Sequence, residues 1–180
     1  MNTQTFSEFY NKTIKLNHQI FNAWQEYTLF TWRWWVGILL IIIPTLLWLK
    51  YRKKESKDRL QFAGLFVAFI SANLDYVGTF FGWWKYDYEV FPAVSNYIPF
   101  SSFALPITVM FFLQIKPKTS RFIKALLFAV YSIIALPFVH WIGIYDPVKW
   151  HYYYSFFIQF FIYLMADSIS RMKNFKRLEE

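Results

Sequence analysis

The sequence predicts an all-α protein: an integral membrane helical bundle of five transmembrane helices, preceded by an N-terminal amphipathic interfacial helix. Three observations predict it. Apolar residues make up 57% of the 180-residue chain and charged residues only 17%. The apolar residues fall into five runs, each close to the roughly 20 residues that cross a bilayer. Lys and Arg collect between alternate runs, the pattern that orients spans.

Residues 1–29 place Phe6, Phe9, Tyr10, Ile14, Leu16, Ile20, Trp24 and Tyr27 mostly at three- and four-residue steps. That period is an amphipathic helix. The segment is too polar to span, so it is expected along the interface or against the bundle. The transmembrane domain is expected over 30–170. Its first span, about 30–49, holds Pro44, which membrane helices tolerate, and stops at Lys50, Arg52, Lys53, Lys54, Lys57 and Arg59. The second covers about 60–84, the third about 97–115 with Pro106, the fourth about 122–145 with Pro137, and the fifth about 152–168. Residues 171–180 form a basic tail.

The net charge is +8. Its placement argues against nucleic acid, because the basic residues sit in short segments between apolar runs, where they meet anionic lipid. The 50–59, 116–124 and 171–180 segments hold 14 of the 19 Lys and Arg residues. Only Lys12, Lys15, Arg33, Lys85 and Lys149 fall on the other side. The positive-inside rule then places the N-terminus outside and the C-terminus in the cytoplasm. Tryptophan runs the opposite way: of nine, only Trp48 falls at the inner end. Trp24, Trp32, Trp34, Trp35, Trp83, Trp84, Trp141 and Trp150 fall at the outer one. An anchoring belt explains this; so does an outer surface or cavity lined with rings.

Ionisable groups inside hydrocarbon are functional candidates by default. Asp75 is the clearest. Ser71, Asp75, Gly78 and Gly82 form one small, polar helix stripe expected to face other helices. Asn73 sits off that stripe and needs another neighbour. The expected partners of Asp75 are Arg33, His140 and, more loosely, Lys85; a clamp, a ligand site and a catalytic carboxylate all remain open. In the fourth span, Ala125, Ala129, Ser132 and Gly143 repeat the small-residue device. His140 has no ligand-type residue at helical spacing, so no metal is expected. Asp167 and Arg171 read as an i,i+4 pair, and Gln114 and Gln159 as interhelical hydrogen-bonders. In the loop from Phe81 to Pro92, Asp87 and Glu89 read as a solvated turn or, less simply, as paired carboxylates.

The chain has no cysteine, which removes disulfides, thiolate metal sites and cysteine nucleophiles. It carries no phosphate-binding glycine loop and no HExxH, GxSxG or CxxC motif. No cofactor is expected.

One ordered set of residues resembles a known family. It runs Leu74-Asp75…Gly82-x-Trp84-x-Tyr86, then Pro92, Ile98-Pro99 and Leu105-Pro106, then Trp141-x-Gly143-Ile144-Tyr145…Trp150-x-Tyr152. The set is similar to that of uncharacterised small multi-span membrane proteins of spore-forming Bacillus- and Clostridium-type bacteria. The resemblance covers roughly 60–170 and implies a bacterial plasma-membrane protein, but no activity. The chain departs from that pattern at Ser101 and Ser102 and at Leu136, where the family often has acids. A fainter similarity runs to bacterial lycopene cyclase subunits, whose adjacent acids are missing here.

The reading favoured by these features is a non-enzymatic membrane protein. Its partners are membrane lipids and an apolar or amphiphilic ligand or partner helix, met by Trp83, Trp84, Tyr86 and Trp141 above Asp75, Asn73, Arg33 and His140. Two alternatives are a transport component resembling the substrate-binding subunit of a vitamin importer, and an enzyme acting on a lipid or isoprenoid.

Overall fold

The computed structural model describes residues 3–92 and 96–172. These form six α-helices and one two-residue β-ladder. The helices are α1 (Thr3–Tyr27), α2 (Trp32–Tyr51), α3 (Lys57–Phe80), α4 (Leu105–Gln114), α5 (Arg121–Trp141) and α6 (Tyr152–Ser170). The chain is all-α, as its apolar patterning predicts. Among the described residues three stretches are long and apolar enough to cross a membrane: Trp32–Tyr51, Lys54–Phe80 and Arg121–Trp141. Lys173, Lys176 and Arg177 of the expected basic tail lie outside the described residues.

Helix ends follow from local chemistry. Thr31 caps α2, its hydroxyl accepting from the Trp34 N–H at 3.4 Å, which satisfies one orphan donor of the first turn. α3 and α5 end alike. Trp83 N–H donates to Gly78 O at 2.8 Å and Gly82 N–H to Thr79 O at 3.1 Å. Ile144 N–H donates to Val139 O at 3.2 Å and Gly143 N–H to His140 O at 2.8 Å. Both sets are Schellman motifs, with Gly82 and Gly143 in the left-handed region at φ +63° and +75°. The expected second and fourth spans are therefore too long at their outer ends. Gly82 and Gly143 leave their helix stripes and become turns.

The expected third span is broken. A π-helix over Pro99–Ala104 runs into α4. Together they reach about 24 Å at 1.5 Å per residue, less than the ~30 Å hydrocarbon core. The break has a covalent cause. Leu105 N–H bonds back to Phe100 O, but Pro106 has no N–H to continue that ladder to Ser101 O. The Ser71 hydroxyl of α3 donates to Ser101 O instead.

The connections gather at two ends. At one end the Gln114 carboxamide accepts from Lys53 N–H at 2.7 Å and donates to Tyr51 O at 2.9 Å. Lys124 Nζ donates to Phe112 O at 2.8 Å and Leu113 O at 3.3 Å, a cation on the last carbonyls of α4. Arg171 holds Asp167 with bonds of 2.6 and 3.0 Å. These residues share a cleft with Lys53 and Arg59, so this is the basic end. At the other end β1 (Lys85–Tyr86) pairs antiparallel with β2 (Tyr145–Asp146), Tyr86 opposite Tyr145. Arg33 Nε donates to Ile142 O at 2.7 Å, and Trp24 Nε1 to Glu89 O at 2.8 Å. The core fills the half nearer the basic end, with Ala63, Val67, Val109, Phe128, Ile162 and Tyr163 buried.

α1 stands apart. Residues 5–27 are exposed, except for half-buried Trp24. An open gap of about 710 Å³ separates Ile14 and Phe21 from Glu89 and Pro92 of the outer loop.

Candidate ligand-binding site

The site grows from Asp75, on the buried face of α3 with Ser71 and Gly78. After the Gly82 turn the chain folds back over its own helix. This lays the Trp84 ring across Gly78, where any Cβ would collide with it. The close approach brings Trp84 Nε1 to Asp75 Oδ1 at 2.9 Å. Two residues on, Tyr86 Oη donates to the same oxygen at 2.7 Å. The backbone N–H of Tyr97 donates to Oδ2 at 2.8 Å. All three neighbours donate, the complement of a carboxylate, which only accepts. Asp75 thus joins α3, the outer loop and the start of the broken helix.

None of the expected partners of Asp75 bonds to it. Arg33 is held by Ile142 O and, at 3.2 Å, by Tyr88 Oη. Its guanidinium lies 4.6 Å from the Trp32 and Tyr88 ring centres. His140 Nδ1 pairs with Tyr152 Oη at 2.7 Å. Lys85 pairs with Asp87 at 3.0 Å and Asp146 at 3.4 Å. Asn73 turns away from the site: it is exposed and donates to Phe69 O in its own helix. Trp141 is 79% exposed and lines no part of the site. In each case a nearer partner or an exposed position wins over the buried carboxylate.

Beside Asp75 lies a cavity of about 150 Å³, the size of one known to admit benzene. α3, the broken helix and α6 wall it, with Leu136 of α5 on one side. Rings from both strands and their flanks line it: Trp83, Trp84, Tyr86, Tyr145 and Trp150. Trp84 and Trp150 meet nearly edge to face at 4.8 Å, and Trp83 and Trp150 stack at 5.6 Å. Trp150 Nε1 donates to Ser155 Oγ at 2.8 Å. Gln159 also lines the cavity, and its Oε1 is buried without a hydrogen-bond partner. Gln159 was expected to bond between helices; only Gln114 does so.

The outer carboxylates separate. Asp87 is exposed beside Lys85, as a solvated turn requires. Glu89 is half-buried, and burial pushes its carboxyl up to about 8, with the Asp75 charge adding to the rise. Burial, then the same charge, pushes the Tyr86 phenol well above 10, so it remains a donor at neutral pH.

The outer aromatics divide between two roles. Trp24, Trp34, Trp84 and Trp150 bond through their indole N–H groups to protein acceptors, whereas Trp32, Trp35 and Trp141 are exposed. Ser155 was not foreseen at the site, and Trp150, Tyr145 and Tyr97 were foreseen only as part of the aromatic end, not beside Asp75. A signal existed: Gly82 and Gly143 each follow an apolar run, the mark of a helix stop, and each precedes aromatic residues that the two turns fold together. The chain matches no family model, no curated protein and no solved structure.

Proposed function

We propose that the chain is a five-span protein of the bacterial plasma membrane that binds a small apolar or amphiphilic molecule in this cavity, at its outer end. The carrying observation is the cavity itself: an aromatic-walled space above a packed core, lined also by the Asp75 carboxylate and by Gln159. Pockets of this kind hold ligands by apolar contact and orient them with few polar groups. The family resemblance supports the same place, since Asp75, Trp84, Tyr86, Tyr145 and Trp150 belong both to the resembling set and to the cavity wall.

The gathering of connections at two ends supports five crossings, with α4 and its π-helix as a short third span. Basic residues at one end and aromatic residues at the other support an outside N-terminus. α1, apolar on one side and unpacked, suits the outer interface. An importer-type subunit with both ends inside fits this arrangement less well, because Trp24 ties α1 to the aromatic end. A carboxylate enzyme fits less well too: Asp75 is engaged by three donors and Asp87 is ion-paired.

The test is Leu136→Trp, which fills the cavity without touching the Asp75 bonds. Purified protein, intact in native mass spectrometry, should carry a bound small molecule that this variant lacks while keeping the helical circular dichroism of the wild type. Wild type and variant without any bound mass, and equally insensitive to added benzene, would overturn the reading.

A further inference from the structure

We infer that the cavity selects a small alkylammonium ion over a neutral molecule of the same shape; this rests on the ligand-binding reading above. The lining carries a carboxylate and no cationic side chain: Asp75 and Gln159 line it, and no Lys, Arg or His does. The indole N–H groups of Trp84 and Trp150 and the Tyr86 hydroxyl are already given to Asp75 and Ser155. Asp75 also lacks a countercharge: the nearby Arg33 and Lys85 are held by other groups. A buried carboxylate without a cation is a costly arrangement that a bound cation relieves.

The walls suit that cation. Six aromatic residues line the space, and a cation within about 6 Å of a ring centre is attracted to its face. Trp84 and Trp150, set nearly at right angles, present surfaces in two directions, as an aromatic cage does. The volume fits a methylated ammonium head rather than an acyl chain. A free amine and a lipid head group carry the same ion.

The experiment titrates the full chain, in phosphatidylglycerol nanodiscs, with choline and with its neutral isostere 3,3-dimethylbutan-1-ol. Tryptophan fluorescence and thermal unfolding are the readouts. Choline should bind saturably, raise the melting temperature and bind at least tenfold more tightly than the alcohol. Gln159→Leu, which leaves the Asp75 bonds intact, should weaken choline severalfold and the alcohol little. Asp75→Asn should abolish the preference. In phosphatidylcholine nanodiscs, loss of the choline effect identifies the lipid head group as the source, and its persistence identifies a free amine. Equal affinities for choline and the alcohol would overturn the charge selectivity and leave the ligand reading standing. Binding of neither would overturn both.

Discussion

At Asp75, three neutral donors from sequence-distant places converge on one carboxylate, and what permits this is an absent side chain. Trp84 reaches Asp75 only by lying where a Cβ on Gly78 would be. Gly78→Ala should therefore lower stability by about 1–3 kcal/mol, the usual cost of overpacking, and shift tryptophan emission as the ring is displaced. Gly82→Ala is the control. Nothing lies near its Cβ, but its φ is +63°. It should lose about 1–2 kcal/mol to left-handed strain and leave the emission unchanged. Denaturant titration in mixed micelles with fluorescence detection measures both. The importance of Asp75 was legible from its depth in an apolar run. Its partners were not, because charge alone pointed to Arg33 and His140, whereas neutral N–H and O–H donors hold it.

Between α3 and the broken helix, the outer loop behaves as a folded element rather than a solvated connection. Two Schellman turns aim β1 and β2 at each other, and Arg33 pins the second turn through Ile142 O. Glu89, half-buried in this loop, makes it pH-sensitive. Its carboxyl lies at about 8 rather than 4.5, so the folded protein holds that proton more tightly than the unfolded chain. The stability this contributes is fully present below about pH 4.5 and is lost as pH rises through about 8. Glu89→Gln, neutral throughout, should flatten that decline. Melting temperature measured from pH 4 to 9 on wild type and variant checks it, and parallel curves would refute it. Helix stops at Gly82 and Gly143 could be read from composition, since glycine after an apolar run ends helices. The pairing of the segments beyond them could not, because two-residue strands carry no periodic signal.

As a bundle, the protein separates a packed, basic end from an aromatic end that contains a cavity. The five-span reading predicts opposite fates for its termini. An N-terminal tag should be digested by external protease in intact cells, and a C-terminal tag only after lysis. Protection of both would place both ends inside and favour an even number of spans. The charge asymmetry from which that orientation is read is visible in the bare sequence, because it depends on counts near run ends and not on packing.

Composition and period alone settled that the chain is helical and that three of its described stretches are long and apolar enough to cross a membrane, for these properties are local: each helix closes its own backbone bonds, and apolar content is read position by position. The same locality exposed Asp75 as out of place and the Trp residues as one-sided. Tertiary contacts settled the rest. They shortened two helices, replaced the first part of a third with a π-helix, removed Asn73 and Trp141 from the site and brought in Tyr97, Tyr145, Trp150 and Ser155. The reason is that a hydrogen bond depends on position in space, to within a few tenths of an ångström. The residues that meet at Asp75 come from 9, 11 and 22 positions away along the chain, beyond the reach of any helical repeat.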